Sequence, residues 1–491
     1  MIINYMSGSV VMKGSRRTVL GRLDREMTKA RNYQQWSELA KEHDELSGMV
    51  KWKNTDRTSL YDYAEIRLRL HQLRDYHRQR DYQALLFTLN QGVHGNMGGM
   101  GRPALYARAR YGTKRLIMEY IDDIVYSLDA LATASHEQLN PTDKLDFFKR
   151  ARHCFGRSAL MLSGAGTLGL FHMGVIKALV EQDVLPQIIS GSSAGAMIAA
   201  AVGTHTSSEL KKFFDPNNIV VDAAEKKRFL DWILLGREGR LDMGYIEAMH
   251  AHFVRDLTFQ EAYELTGHAI NISVSPAGAN QTSRLLNAIT SPNVYIRSAV
   301  KASCAVPGAM EPVILEAKST RGERVTYLPS RRWVDGSVSS DLPAKRLARL
   351  YGVNHFIVSQ TNPLVLWAMT DPKLEQGIQA KVKRLPVRLI REMIEFNYVA
   401  TKPLLRGSSS LSIAMGQLHS MVTQTYTGDI NILPRYRLFD PRKLAKRWSQ
   451  KEMHFLLREG EKATWPKIEM IRNCMKIGRK LDSILGDKGK N

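Results

Sequence analysis

Two short apolar runs, each ending in glycine and each followed by helical periodicity, constrain this chain more than anything else in it. "SALMLSG" (158–164) leads through a glycine-rich turn into "LFHMGVIKALVEQD", and "QIISG" (187–191) leads into "AGAMIAAAV" (194–202). Short apolar runs bounded by glycine suit buried strands, and parallel strands need a crossover between them, most compactly a helix. Strand, turn, helix, repeated, therefore predicts an α/β class with a mainly parallel sheet. "HAINISVSPAG" (268–278), "RRWVDG" (331–336) and "NHFIVSQTNP" (354–363) supply further strand candidates.

The turns between these elements are where chemistry can sit. Gly164-Ala165-Gly166-Thr167-Leu168-Gly169 fits G-x-G-x-x-G between a strand and a helix. A dinucleotide site would want an acidic residue about 20 positions on, at the end of the second strand. That place holds Gly191-Ser192-Ser193, while Glu181 and Asp183 fall before the strand. The same glycines have another use, as exposed amides at a helix N-terminus aimed at developing negative charge.

The second turn, Gly191-Ser192-Ser193-Ala194-Gly195, fits G-x-S-x-G, the pattern of a nucleophile elbow. Gly191 and Gly195 would let strand and helix approach closely, and the helix would present its positive end to the Ser193 oxygen. A small-residue packing stripe is the competing reading of Ala194 to Ala201. Asp335-Gly336 follows a strand candidate and opens a turn, a usual place for an α/β active-site residue; Asp-Gly turns are also common anywhere. Asp341, followed by Leu342-Pro343, reads as a helix-initiating residue. A three-member site would need a histidine, and His172 and His355 lie nearest the motifs. His172 falls in a helix where it could equally pack or cap, and His355 early in a strand, where an edge or surface place suits it.

In this order and spacing the pieces resemble the patatin-like phospholipase family. "ASCAVPGAMEP" (302–312) is similar to that family's substrate-side loop. "TLNQGVHGNMGGMGRPALY", "VDGSVSSDLPAKRL", "VSQTNPLV", "GDINILP" and "EGEKATWPKIEMIRN" resemble the branch containing yeast and plant triacylglycerol lipases. The resemblance implies a three-layer α/β/α core and a serine lipid acyl hydrolase working through an acyl-enzyme, with no metal or cofactor. It implies Ser193 as nucleophile and Asp335 as its partner in a dyad. Gly164, Ala165, Gly166 and Thr167 would form the oxyanion hole, and Gly169, Gly191, Gly195 and Gly336 are the motif glycines. Two positions depart from the family's usual residues: Ala165 stands where many members have glycine, and Ser337 where alanine or glycine is more frequent. The ester could be triacylglycerol or phospholipid. The alternatives are a peripheral lipid-binding protein with a vestigial core, or an acyltransferase using the same acyl-enzyme.

Three regions are expected: an N-terminal helical domain over 1–157, the catalytic α/β domain over 158–363, and a basic, mainly helical region over 364–491. The formal net charge is +22, and its distribution matters more than its size. Residues 1–157 carry 26 Lys and Arg against 18 Asp and Glu, 158–370 carry 20 against 18, and 371–491 carry 24 against 12. A nearly neutral centre with basic flanks suits docking on an anionic membrane or lipid-droplet surface. A nucleic-acid enzyme would concentrate positive charge around its site, so no nucleic-acid partner is expected. "QAKVKRLPVRLIREMIEFNYV" (379–399) reads as a basic amphipathic helix for that interface. No run reaches the roughly 18 apolar residues of a membrane span, and the first residues lack a secretory signal pattern. Cys154, Cys304 and Cys474 are odd in number and widely spaced. They offer neither a disulfide framework nor a metal site, so an intracellular, peripheral location is expected.

Overall fold

The computed structural model describes residues 4–93, 95–165, 168–213, 251, 253–278, 281–307, 310–337, 341–361, 428–434 and 450–487. The candidate interfacial helix over 379–399 lies outside them. The chain divides into two compact units, 1–157 with 465–491, and 158–464.

The first unit is helical: α1 (Asn4–Lys29), α2 (Tyr33–Ser47), α3 (Met49–Asn54), α4 (Tyr63–Gln79), α5 (Tyr82–Gly92), α6 (Pro103–Ala107), α7 (Arg115–Thr133) and α8 (Pro141–Phe155). Several of its helices start on a side-chain cap, which satisfies an amide that has no partner within the helix. The Asp62 side chain accepts from Glu65 N–H, Asp81 from Ala84 N–H, and Asn140 from Thr142 N–H ahead of Pro141. The core gathers Ile66, Leu70 and Leu73 of α4, Ile117, Ile124 and Leu128 of α7, and Phe147 and Phe148 of α8. The C-terminal helix, Ile468–Asp487, adds Ile477, Leu481 and Ile484 to the same cluster. Asp482 on that helix meets both Arg152 and Arg157.

The second unit is built on a mixed, mostly parallel sheet. Its strands are β1 (Arg157–Leu162), β2 (Ile188–Gly191), β3 (Ala269–Pro276), β4 (Arg284–Leu286), β7 (Trp333–Asp335), β8 (Val353–Ser359) and β9 (Ile430–Ile432); β5 (Leu315–Lys318) and β6 (Arg324–Tyr327) form a separate antiparallel pair. The order runs β4-β3-β2-β1-β8-β9, with β7 also on β3. The β1–β2, β2–β3 and β8–β9 pairs are parallel, and β4 and β7 run antiparallel to β3. Successive strand residues face opposite sides of a sheet, and every residue of β2 and the first seven of β3 are buried. Both faces of the sheet's centre are therefore covered, which is what continuous apolar runs require.

Helices α9 (Gly169–Glu181) and α10 (Ala194–Thr204) follow β1 and β2 directly. Then come α11 (Ser207–Phe213), α12 (Phe259–Thr266), α13 (Ile296–Ser303), α14 (Ala344–Tyr351) and α15 (Gln450–Thr464). α12 opens on a full capping box between Thr258 and Glu261. α15 crosses α9 at very close range. A Cβ at Gly174 would lie 1.8 Å from the Leu457 carbonyl oxygen, and one at Gly460 would lie 2.1 Å from that of Phe171. Only paired glycines permit that approach. The region expected as one stretch over 364–491 thus ends in two helices that pack differently, α15 on α9 and the C-terminal helix into the core of the first unit.

Candidate active site

Ser193 sits between β2 and α10 at φ 52°, ψ −126°. A non-glycine residue in that region costs roughly 1–3 kcal/mol and persists only where its surroundings hold it. The surroundings here are explicit. Ser193 N–H donates to Ser303 Oγ at 3.0 Å, and the Ser303 hydroxyl donates to the Ser273 carbonyl at 2.7 Å. The flanking glycines are sterically required. A Cβ at Gly191 would fall 2.2 Å from Gly195 O, and one at Gly195 would fall 2.4 Å from Leu162 O. The small residues after Ser193 therefore do two things at once, packing the helix tightly and leaving the serine on a sharp turn.

β3 acts as the ruler that brings Asp335 to this turn. Ile272 pairs with both Leu286 of β4 and Gly191 of β2, so β4 and β2 occupy opposite edges of β3. Val274 pairs with both Arg284 of β4 and Asp335 of β7, so β7 lies on the edge that β2 has just left. Asp335 is thus registered two residues beyond the end of β2, where Ser193 stands. The Ser193 side chain lies near enough to the Asp335 carboxylate to pull its pKa down, and Ser337 N–H donates to its Oδ1 at 2.8 Å. Asp335 is buried, and burial raises its pKa above the usual carboxylate range, against the pull of the Ser337 and Ser193 hydrogen bonds. Cys304 lies beside it. Burial first, then the Asp335 charge, push that thiol far up and keep it protonated. The loop read as substrate-side runs next to Asp335, whose N–H donates to Ala305 O at 2.9 Å.

The glycine loop is anchored differently from expectation. Gly164 N–H donates to Asp341 Oδ1 at 2.7 Å. An amide has one hydrogen, and here Asp341 holds that of Gly164. Gly166 and Thr167 lie outside the described residues. Ala165 is buried and packs with Leu168, Ala194 and Leu456 of α15. Asp341 does not start a helix. α14 begins at Ala344 after Pro343 with no side-chain cap, and Asp341 is buried with its Oδ1 accepting from Gly164 and from the Ser192 hydroxyl.

Neither histidine joins Ser193 and Asp335. His172 is fully buried, with Nδ1 2.7 Å from Ser359 Oγ and Nε2 3.0 Å from Ser163 O. Desolvation lowers its pKa to about 4, so it is a neutral bridge from α9 to the ends of β1 and β8. His355 is buried on β8, where burial lowers its pKa and Asp429 partly offsets that. Among the described residues, no cluster of three His, Cys, Asp or Glu is placed to hold a metal ion. Sequence reasoning missed Ser303, the bridging role of Asp341, and Met453 and Leu456, which pack on the loop from α15. Ser303 lies inside the substrate-side loop motif and Asp341 close to the Asp-Gly turn, so both lay near a motif; Met453 and Leu456 did not.

The chain is similar to known proteins over most of its length. Residues 160–348 match the patatin-like phospholipase family, and residues 13–153 match a domain of unknown function, DUF3336. Triacylglycerol lipase 4 of Saccharomyces cerevisiae is 35% identical over 90% of this chain and 50% of its own length. Triacylglycerol lipase ptl3 of Schizosaccharomyces pombe is 32% identical over 91% of this chain and 94% of its own. Triacylglycerol lipase SDP1L of Arabidopsis thaliana is 32% identical over 93% and 57%. The chain therefore spans nearly all of one relative and only about half of the others. VipD from Legionella pneumophila matches with a TM-score of 0.27 and 14% identity over 62% of this chain and 67% of its own, a likeness too slight to bear on the site.

Proposed function

We propose that this chain, which belongs to the patatin-like phospholipase family, hydrolyses fatty-acyl esters of lipids through a Ser193–Asp335 dyad and an acyl-enzyme. The observation that carries this is Ser193, strained at φ 52° and registered by the sheet beside the buried carboxylate of Asp335. A serine hydroxyl needs an adjacent base, and a carboxylate is a weak one. Burial makes Asp335 a stronger base by raising its pKa toward the working pH.

Asp335 takes the Ser193 proton as the oxygen attacks the ester carbonyl. The oxyanion that forms is stabilised by the remaining loop amides, Ala165, Gly166 and Thr167; one such donor is worth roughly 3 kcal/mol in other serine hydrolases. The proton passes to the leaving alcohol, and Asp335 then activates water to release the fatty acid. Because Asp335 must be ionised, activity falls as pH drops through its raised pKa, above the usual carboxylate range. The relatives' names favour a triacylglycerol ester as substrate, met at a lipid surface that the basic flanks are suited to approach.

Ser193→Ala should abolish release of fatty acid from a long-chain triacylglycerol emulsion and labelling by a fluorophosphonate probe. Wild-type turnover in that variant would sink the assignment. A folded wild-type protein inert to the probe would instead favour a lipid-binding core without catalysis.

A further inference from the structure

Asp341 has no part in the chemistry above, yet it lies inside the same site. The β1–β2 register runs to Leu162–Gly191, and Asp341 continues the link past its end. Its Oδ1 accepts both the Gly164 N–H, at 2.7 Å, and the Ser192 hydroxyl, which also lies 3.2 Å from the Asp341 carbonyl oxygen. Gly164 opens the glycine loop, and Ser192 immediately precedes Ser193. One oxygen therefore holds the two turns whose separation decides whether an oxyanion formed at Ser193 falls on the loop amides. The fit is close: a Cβ at Gly164 would come within 2.9 Å of Ser337 Cβ and 3.6 Å of Asp341 Oδ1.

We propose that Asp341 is a positioning residue for ester hydrolysis, setting the glycine loop against the elbow through the oxygen to which Gly164 and Ser192 both donate. It rests on the reading of Ser193 as the nucleophile. Among the described residues, Asp335 on β7 is a charged group that acts on Asp341, while Gly164 from the β1 side and Ser192 from the β2 side are neutral. Burial, and then the Asp335 charge, push Asp341 up to about 7 against the pull of its two donors. Asp335 is thus already ionised when Asp341 titrates.

The experiment uses the full chain and a soluble ester, p-nitrophenyl butyrate, so that lipid-surface binding does not enter. kcat and KM are followed against pH for wild type, Asp341→Ala, Asp341→Asn, Ser192→Ala and Ser193→Ala. Asp341→Ala removes the shared acceptor and should lower kcat about 100-fold, the scale of a small misplacement of reacting groups, with KM little changed. Asp341→Asn keeps an acceptor oxygen and should recover most of that loss. Its acidic limb should stay where it is in wild type, because Asp341 is still neutral as Asp335 titrates. Ser192→Ala, which cuts one tether, should fall between wild type and Asp341→Ala. Near wild-type kcat in folded Asp341→Ala, with none in Ser193→Ala, overturns the role of Asp341 alone. If Asp341→Ala does not fold, unchanged kcat in Ser192→Ala overturns it. Full turnover in Ser193→Ala brings down the nucleophile assignment instead.

Discussion

At Ser193 the fold accepts a local cost that sequence propensity argues against. A left-handed φ belongs to glycine, yet a serine holds φ 52° because Ser303 takes its amide and the flanking glycines pack the turn tightly. Ser193→Gly should therefore raise stability by about 1 kcal/mol while ending turnover, visible as a higher melting temperature; a lower one would show that the turn is not strained. Ser193 and Asp335 stand out in the sequence because G-x-S-x-G and Asp-Gly are local patterns tied to strand ends, while their pairing is what the family resemblance implies. Asp341 was misread because Asp-Leu-Pro is also a local pattern, for a helix start. Nothing within a few residues shows that its carboxyl faces a loop 177 positions earlier.

Among the elements, α15 is the one the sequence placed least well. Its helical pattern is plain, but its partner α9 is far away along the chain. The contact is set by two facing glycines and by Lys177 paired with Glu461, whose side chain is only 2% exposed. Burial raises the Glu461 pKa despite the lysine, so the pair adds little net stability, but breaking it strands a charge. Lys177→Met should cost about 3 kcal/mol, and adding Glu461→Gln should recover much of it, measured by denaturant unfolding. Equal stability of the two variants would mean that the charge is not stranded. Through Met453 and Leu456 the same helix walls the glycine loop, so this packing also bears on the candidate site.

For the whole molecule, the uneven charge predicts salt-sensitive attraction to anionic lipid. The chain should float with vesicles containing phosphatidylserine, release as ionic strength rises past a few tenths molar, and ignore neutral vesicles. Salt-independent binding to both would point to apolar insertion instead. No described helix is long and apolar enough to cross a membrane. The sequence alone determined the α/β class, the order of the three turns and the residue types on them. Strand periodicity, helix periodicity and glycine punctuation all act within a dozen residues. Tertiary structure alone decided which carboxyl meets Ser193, which one ties the loop to the elbow, and where the last two helices pack. Those outcomes depend on the register along β3 and on close approaches between residues more than a hundred positions apart. Local patterns cannot encode them, because each contact is set by packing that exists only once the sheet has formed.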